Sequence, residues 1–402
     1  MKIGIIREEK IPAERRVPFS PQQCQDLQRQ YPNVKIFVQP SPHRCFEDVE
    51  YASCGISVQE NLAECDILFG VKEVPLQKLM PNKRYFFFSH TIKKQPHNQK
   101  LLQEILKKNI HLIDYETLTD RDGNRIVAFG RYAGLVGAYN GILAYGKKHE
   151  LFDLKPANLC YDLQEMKGKL SEIELPNIKI AVVGSGRVGK GAMEILDTMQ
   201  IPKISVEQYL NETFDQTVYV NVHSKDYHEH LQKKAFDAQE FHQFPEYFRA
   251  NFQNFYSKTD LLIATAFWNP KAPLMFSKEE MKKNDFKIKV IADITCDIDG
   301  SIPCTMRAST IQEPLYNYNP KTESLENFVS KNDQITVMAV DNLPCEIPRD
   351  ASISFGKDLT ERVIPALLNT DSEQIIYRAS ITQNGKLNPN YSYLEDYVKG
   401  IF

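Results

Sequence analysis

The eight cysteines of this 402-residue chain are scattered, with no C-x-x-C pair and no zinc-like spacing. That argues against a disulfide framework or a zinc module, and leaves reduced thiols, mostly small core residues, in a cytoplasmic protein. No stretch approaches the roughly 18 apolar residues of a membrane span. The opening MKIGIIREEK meets charge too soon for a secretory leader. Charge of one sign is also missing: 49 Lys and Arg stand against 52 Asp and Glu, for a net charge of −3 at pH 7. A chain so balanced has no global field to draw it to nucleic acid or an anionic membrane. Repeats and low-complexity tracts are absent, and the histidine pair His228 and His230 lacks partners at metal-ligand spacing, so it reads as surface.

What remains is an ordinary globular composition, 42% hydrophobic and 25% charged, long enough for two or three domains. The runs KIGIIRE, KIFV, CDILFGVK, RYFFFSH and HLIDYE read as strands, with helical patterns near 21–30 and 96–108. Strands that are apolar throughout, rather than alternating, predict a parallel sheet covered on both faces, hence an α/β domain over residues 1–130. From Phe129 to Glu150, glycines at 130, 134, 137, 141 and 146 fall mostly on one face of a long helix. Each costs up to about 1 kcal/mol there, so that face must need close approach. Residues 151–177 read as a connection and 208–258 as an insertion. Strands resume at 260–266, 287–294 and 334–341, and a last long helix starts at Pro348.

In NIKIAVVGSGRVGKGAMEIL, an apolar strand runs into Gly184, Ser185, Gly186, Arg187, Val188 and Gly189, and a helix opens on that turn. This is G-x-G-x-x-G in the context that a dinucleotide-binding turn requires. Gly184 allows the tight turn, Gly186 the approach of a pyrophosphate, and Gly189 close helix–strand packing. Two residues are candidates to read the ribose. Glu207 is the acidic candidate after the short strand KISV, and Arg187 could meet a 2′-phosphate instead, so NAD and NADP both stay open.

In the first domain, strands end in side chains capable of chemistry. Lys72 ends ILFGVK, His90 and Lys93 follow RYFFFS, Glu116 follows HLIDY, and Arg15 and Arg16 sit in the loop after the first strand. All belong to the carboxyl side of the expected strands, where open α/β sheets hold ligands. Such a cationic group suits a substrate with several carboxylates, and a histidine beside a lysine of lowered pKa suits proton transfer. Asp341, ending QITVMAVD, joins them if that strand returns to the same cleft.

The segments REEKIPAERRVPFSP, FGVKEVP, FFFSHTIKKQ, LIDYETL, RIVAFGRYAGLVGA, ADITCDIDGSI and VDNLPCEIPRDAS together resemble the lysine-forming saccharopine dehydrogenases. They are most similar to the lysine–ketoglutarate reductase domain of the bifunctional enzymes of lysine breakdown, within the alanine dehydrogenase and transhydrogenase superfamily. The resemblance implies an α/β fold of two Rossmann-like, doubly wound domains flanking a cleft. Residues 1–130 form the first part of a substrate domain, 131–333 the dinucleotide-binding domain, and 334–402 return to complete the first. It implies Lys72 and His90 as the acid–base pair, Arg16 and Lys93 as substrate-side cations, and Glu116 as the carboxylate that tunes them. Asp341 falls near the nicotinamide. Arg131, where relatives vary, adds to the surplus of cations. The implied reaction interconverts lysine and 2-oxoglutarate with saccharopine, using NAD or NADP and no metal. The chain would work as a monomer or small homo-oligomer, without nucleic acid or membrane. Two other readings are an alanine-dehydrogenase-like enzyme with a smaller substrate, and an inactive dinucleotide-binding sensor. The sensor predicts loss of Lys72, His90 or Asp341, and all three are present.

Overall fold

The computed structural model describes residues 1–330 and 333–401. Residues 331, 332 and 402, which fall in the expected second and third segments, lie outside the described residues. The chain divides into two compact units, Met1–Phe129 with Pro348–Phe402, and Gly130–Ile347. No helix among the described residues is long and apolar enough to cross a membrane.

The first unit is built on β1 (Lys2–Ile5), β2 (Lys35–Val38), β3 (Ser57–Val58), β4 (Ile67–Phe69), β5 (Arg84–Phe87) and β6 (His111–Asp114). They pair in parallel in the order β3-β2-β1-β4-β5-β6. The connections change direction between β1 and β4, which makes the carboxyl ends of those strands a topological switch point. Tyr85, Phe86 and Phe87 are fully buried, and Phe86 stacks on Phe69 with ring centroids 4.4 Å apart. Each such ring, withdrawn from water, contributes about 2–3 kcal/mol. The first helix, Pro21–Gln30, starts cleanly because Ser20 and Gln23 form a capping box ahead of its apolar face. The helix Pro348–Asp358 brings the chain back to this unit. Arg349 pairs with Glu50 at 2.7 Å, Ser352 Oγ accepts from the Val17 amide at 2.9 Å, and Phe355 stacks on Phe129 at 4.5 Å.

The second unit contains β7 (Lys179–Val183), β8 (Lys203–Ile204), β9 (Val218–Val222), the hairpin β10 (His228–His230) and β11 (Phe248–Ala250), then β12 (Leu261–Ala264), β13 (Val290–Asp293), β14 (Leu315–Asn319), β15 (Ser324–Asn327) and β16 (Ile335–Met338). Its main sheet runs β15-β14-β16-β13-β12-β7-β9-β8, parallel except for the antiparallel pairings of β14. Three expectations change here. The return to the first unit begins at Pro348 and not at 334, because β16 pairs with β13 and β14 inside the second unit. Residues 208–258 are not a single insertion: β9 lies beside the phosphate-turn strand, and only the β10–β11 hairpin forms a sheet of its own. His228 and His230 are buried, not superficial; His228 lies 4.4 Å from the Phe241 ring within an aromatic cluster.

The glycine-rich helix is Gly130–His149, and the helix opening on the phosphate turn is Arg187–Thr198. They meet backbone to backbone. A Cβ on Gly134 would stand 1.9 Å from the Val188 carbonyl oxygen, and one on Gly191 2.1 Å from that of Arg131. On another face of the long helix, the buried Glu346 accepts a 2.8 Å hydrogen bond from Asn140. Burial pushes the Glu346 carboxyl up to about 8 from 4.5, against the pull of its hydrogen bonds from Asn140 and the Asn158 amide. Between those two values the folded chain keeps a proton that the unfolded chain releases, so this group costs stability as pH rises through that window. Glu346→Gln keeps an oxygen for Asn140 and cannot ionise. Denaturant unfolding should find the variant close to the parent at pH 5 and more stable at pH 8; parallel pH profiles would show that Glu346 is already ionised in the fold.

Candidate active site

The site in the first unit is assembled from the ends of β4, β5 and β6. The Gly70 amide still bonds to Phe86, and the Phe88 amide donates to the Val71 carbonyl at 3.0 Å, so the chain segments beyond β4 and β5 remain laced together as they leave the sheet. Lys72 follows directly on one segment and His90 on the other. His90 sits in the left-handed region at φ 54°. The turn before it is fixed by Asp114, which accepts the Ser89 amide at 2.9 Å, and by the Ser89–Thr91 hydroxyl pair at 2.8 Å. Glu73 accepts from His90 Nδ1 and also meets Lys10 at 3.4 Å. Lys93 pairs with Glu116 at 3.1 Å.

Arg16 is almost fully buried. Its Nε and one terminal nitrogen donate to the two oxygens of Glu14 at 2.7 and 2.6 Å, and its guanidinium lies 4.1 Å from the Phe129 ring centroid. A second arginine, Arg125, lies 5.7 Å from the Phe88 ring. Burial lowers the Lys72 ammonium below its usual range; the charges of Arg16 and Lys10 lower it further, against Glu14 and Glu73. Burial acts upward on Glu14, but the charge and hydrogen bonds of Arg16 outweigh it and hold the carboxyl at about 2. Glu73 is likewise pushed up by burial and held down at about 2 by His90. A lysine that deprotonates more readily, a histidine oriented by a carboxylate, and several cations make a site for proton transfer on an anionic substrate.

The second unit holds the phosphate turn. Gly184 has φ 110°, and a Cβ there would stand 2.6 Å from Thr265 Oγ1. One on Gly189 would stand 2.3 Å from the Gly184 carbonyl oxygen. Gly186 differs: its Cβ would meet nothing within 4 Å. Ser185, Gly186 and Arg187 are exposed at the amino end of a twelve-residue helix. Open space before the amino end of this helix fits a pyrophosphate. Asn221, on the neighbouring β9, donates to the carbonyls of Val182 and Gly184 at 3.1 and 2.8 Å and braces the turn from the side.

Lys72, His90, Lys93, Glu116 and Arg16 thus share the first unit, while the glycine turn, Arg131, Glu207 and Asp341 belong to the second. Arg131 is tied by two hydrogen bonds, at 2.7 and 2.9 Å, to Glu194 on the phosphate helix, and so helps hold two helices together. Glu207 lies exposed in the helix Val206–Asn211, which follows the edge strand β8. The strand beside β7 is β9, so the strand end next to the glycine turn is followed by His223, Ser224 and Lys225. Asp341 is exposed, three residues past β16. Sequence reasoning passed over Glu8, Glu14, Glu73, Arg125 and Asn221. Glu73 stood next to Lys72 in FGVKEVP, and Asn221 was the one polar residue in VYVNV, so both had a visible signal. Among the described residues no group of three or more His, Cys, Asp or Glu could hold a metal ion.

Two family descriptions match the chain, alanine dehydrogenase/PNT N-terminal domain over residues 4–136 and alanine dehydrogenase/PNT C-terminal domain over residues 156–388. The chain belongs to the alanine dehydrogenase/PNT family. Among curated members of similar sequence, the mitochondrial alpha-aminoadipic semialdehyde synthase of Mus musculus is 30% identical over 442 residues, covering 97% of this chain and 47% of that protein. The chain therefore spans about half the length of such relatives. The saccharopine dehydrogenase (NAD+, L-lysine-forming) of Yarrowia lipolytica is 25% identical, with 90% of each covered. In fold, an L-alanine dehydrogenase matches with TM-score 0.67 at 15% identity over all of both chains. The transhydrogenase of Sinorhizobium meliloti matches with TM-score 0.60 at 14% identity, over 96% of this chain and 98% of that one. Family and site together support a nicotinamide-dinucleotide oxidoreductase. Gly186→Val should fill the open space and weaken dinucleotide binding at least about tenfold, a loss of about 1.4 kcal/mol, with the melting temperature little changed. Titration of reduced dinucleotide checks it, and parental affinity would remove the phosphate-turn assignment.

Proposed function

We propose that this chain catalyses the reversible condensation of L-lysine with 2-oxoglutarate and the reduction of the resulting imine to saccharopine. The observation that carries the reading is the delivery of Lys72 and His90, by adjacent parallel strands, into a group that also contains Arg16, Arg125 and Lys93. Saccharopine and 2-oxoglutarate carry several carboxylates, which a group of several cations suits better than the single carboxylate of a small amino acid.

A nicotinamide dinucleotide held by the glycine turn would supply the hydride chemistry. The chain's own residues move the protons. In the direction of oxidation, Lys72 in its neutral form takes the proton of the secondary amine. With Glu73 accepting from Nδ1, His90 carries its proton there and leaves Nε2 to activate the water that attacks the imine. The same pair returns a proton to the departing lysine amine. Arg16 and Lys93 orient the carboxylates, and Glu116 holds Lys93 in place.

For the cofactor, we favour NADP. The strand next to β7 ends in His223, Ser224 and Lys225, with no acidic residue among them to accept from a ribose 2′-hydroxyl, and Asp226 is engaged by the His223 amide at 2.7 Å. We place the chain in the cytoplasm on the strength of its free thiols; a mitochondrial location, as in the name of the mouse relative, is the alternative that imaging of the tagged chain would decide.

The assay is oxidation of NADPH and NADH with 2-oxoglutarate, with and without lysine. Lysine-dependent oxidation, faster with NADPH at limiting cofactor, is expected; turnover of pyruvate and ammonia instead would give the smaller-substrate reading the site. Lys72→Met and His90→Gln should each lower kcat by at least about tenfold, with dinucleotide affinity unchanged. Glutamine suits the backbone at position 90, since Gln200 and Gln374 have φ 58° and 55° in this same fold. Parental turnover in both variants would remove Lys72 and His90 as the acid–base pair.

A further inference from the structure

Glu8 follows β1 by three residues, at the switch point, and has no place in the chemistry described above. Its Oε1 accepts from the Val71 amide at 2.6 Å and its Oε2 from the Lys72 amide at 3.0 Å. These two amides lie just beyond β4, where the Gly70 amide still donates to the Phe86 carbonyl at 2.9 Å. The carboxylate therefore takes over where the sheet leaves off. Its reach extends further, because the Val71 carbonyl accepts the Phe88 amide, two residues before His90, and Glu73, the next residue after Lys72, holds the His90 ring.

The pairing also selects the chemical type. Two parallel N–H groups need two acceptors, which a carboxylate offers and a carboxamide does not. Space for the clamp is tight, since a Cβ on Gly70 would stand 2.8 Å from the Ile6 side chain and 3.2 Å from Glu8 Oε1. Desolvation pushes the Glu8 carboxyl up to about 8 and Glu14 adds to this, while the two amides and Arg16 oppose it. Both oxygens accept only in the ionised form, so the clamp is complete above about pH 8, and a pH of about 9 is the condition for its test.

We propose that Glu8 is a positioning residue, whose carboxylate clamps the Val71 and Lys72 amides and so sets the placement of both Lys72 and His90. The inference rests on the reading of those two residues as the acid–base pair. Glu8→Gln preserves size and leaves one acceptor in place of two. Hydrogen exchange at the Val71 and Lys72 amides should accelerate at least tenfold, with protection of Lys2–Ile5 and Ile67–Phe69 unchanged. Labelling of the Lys72 amine by an amine-reactive reagent, followed by mass spectrometry, should rise at least threefold, while Lys35 labels as before. Turnover should fall at least tenfold at unchanged dinucleotide affinity, a split that general loss of folding would not give. If Glu8→Gln does not fold, Glu8→Asp, which keeps the charge and shortens the reach, carries the same measurements. Parental exchange at the two amides overturns the clamp, and so does parental turnover despite faster exchange. Exchange and labelling need no substrate, so a chain inactive on lysine and 2-oxoglutarate would remove the proposed reaction and still leave the clamp to be decided.

Discussion

Two helix backbones touch in the second unit with no side chain between them. Where Gly130–His149 crosses Arg187–Thr198, an added methyl would land on a carbonyl oxygen from either direction. Glycine in a helix interior costs free energy in the absence of such a contact, and here it admits an approach closer than any other residue pair would permit. The phosphate turn depends on it. The helix that opens on Gly186 is held from below by the long helix, from the side by Asn221, and along its rim by Arg131 and Lys167, which both reach Glu194. The same long helix lies on the central strands, with Gly141 against Ala292 and Gly137 against Ile294. Sheet, helix and turn are therefore registered by one strip of missing side chains.

The first unit solves a different problem, bringing cations together without leaving them unbalanced. Arg16 is matched by Glu14, His90 by Glu73, and Lys93 by Glu116. The Arg16–Glu14 pair is buried, and such a pair contributes little net stability, because desolvation of both partners offsets their attraction. Its effect is on geometry. Arg16 bound through two nitrogens and stacked on Phe129 has few alternative positions, and Phe129 is itself fixed against Phe355 from the returning helix. The carboxyl-terminal segment reaches the site in this indirect way, through a stack of rings.

Much of this was legible. Parallel strands buried on both faces announce themselves as unbroken apolar runs, and the residues at their carboxyl ends come in a predictable place, which is why Lys72, His90, Lys93 and the glycine turn could be picked out of the string. What failed did so for topological reasons. Glu207 follows the next strand in sequence, but the next strand in space is Val218–Val222, hidden in a polar stretch that shows no periodicity. Ile335–Met338 looks like the start of a return and instead pairs with its neighbours in the second sheet. Glu8 was illegible for the same reason: nothing local marks a carboxylate whose partners are backbone amides more than 60 residues away.

His90 adopts a left-handed backbone at φ 54°, and Lys94, four residues on, does the same. Histidine, asparagine and aspartate enter that region far more readily than valine, isoleucine or threonine. The loop therefore screens its occupant twice, once by what an imidazole does and once by what a backbone tolerates. Change within the tolerated set would leave a well-formed but chemically silent loop, whereas a branched residue would disturb the turn that also carries Lys93. Loss of activity and loss of shape are separable at this position, and a descendant that kept only the shape would still look, by its fold, like an enzyme.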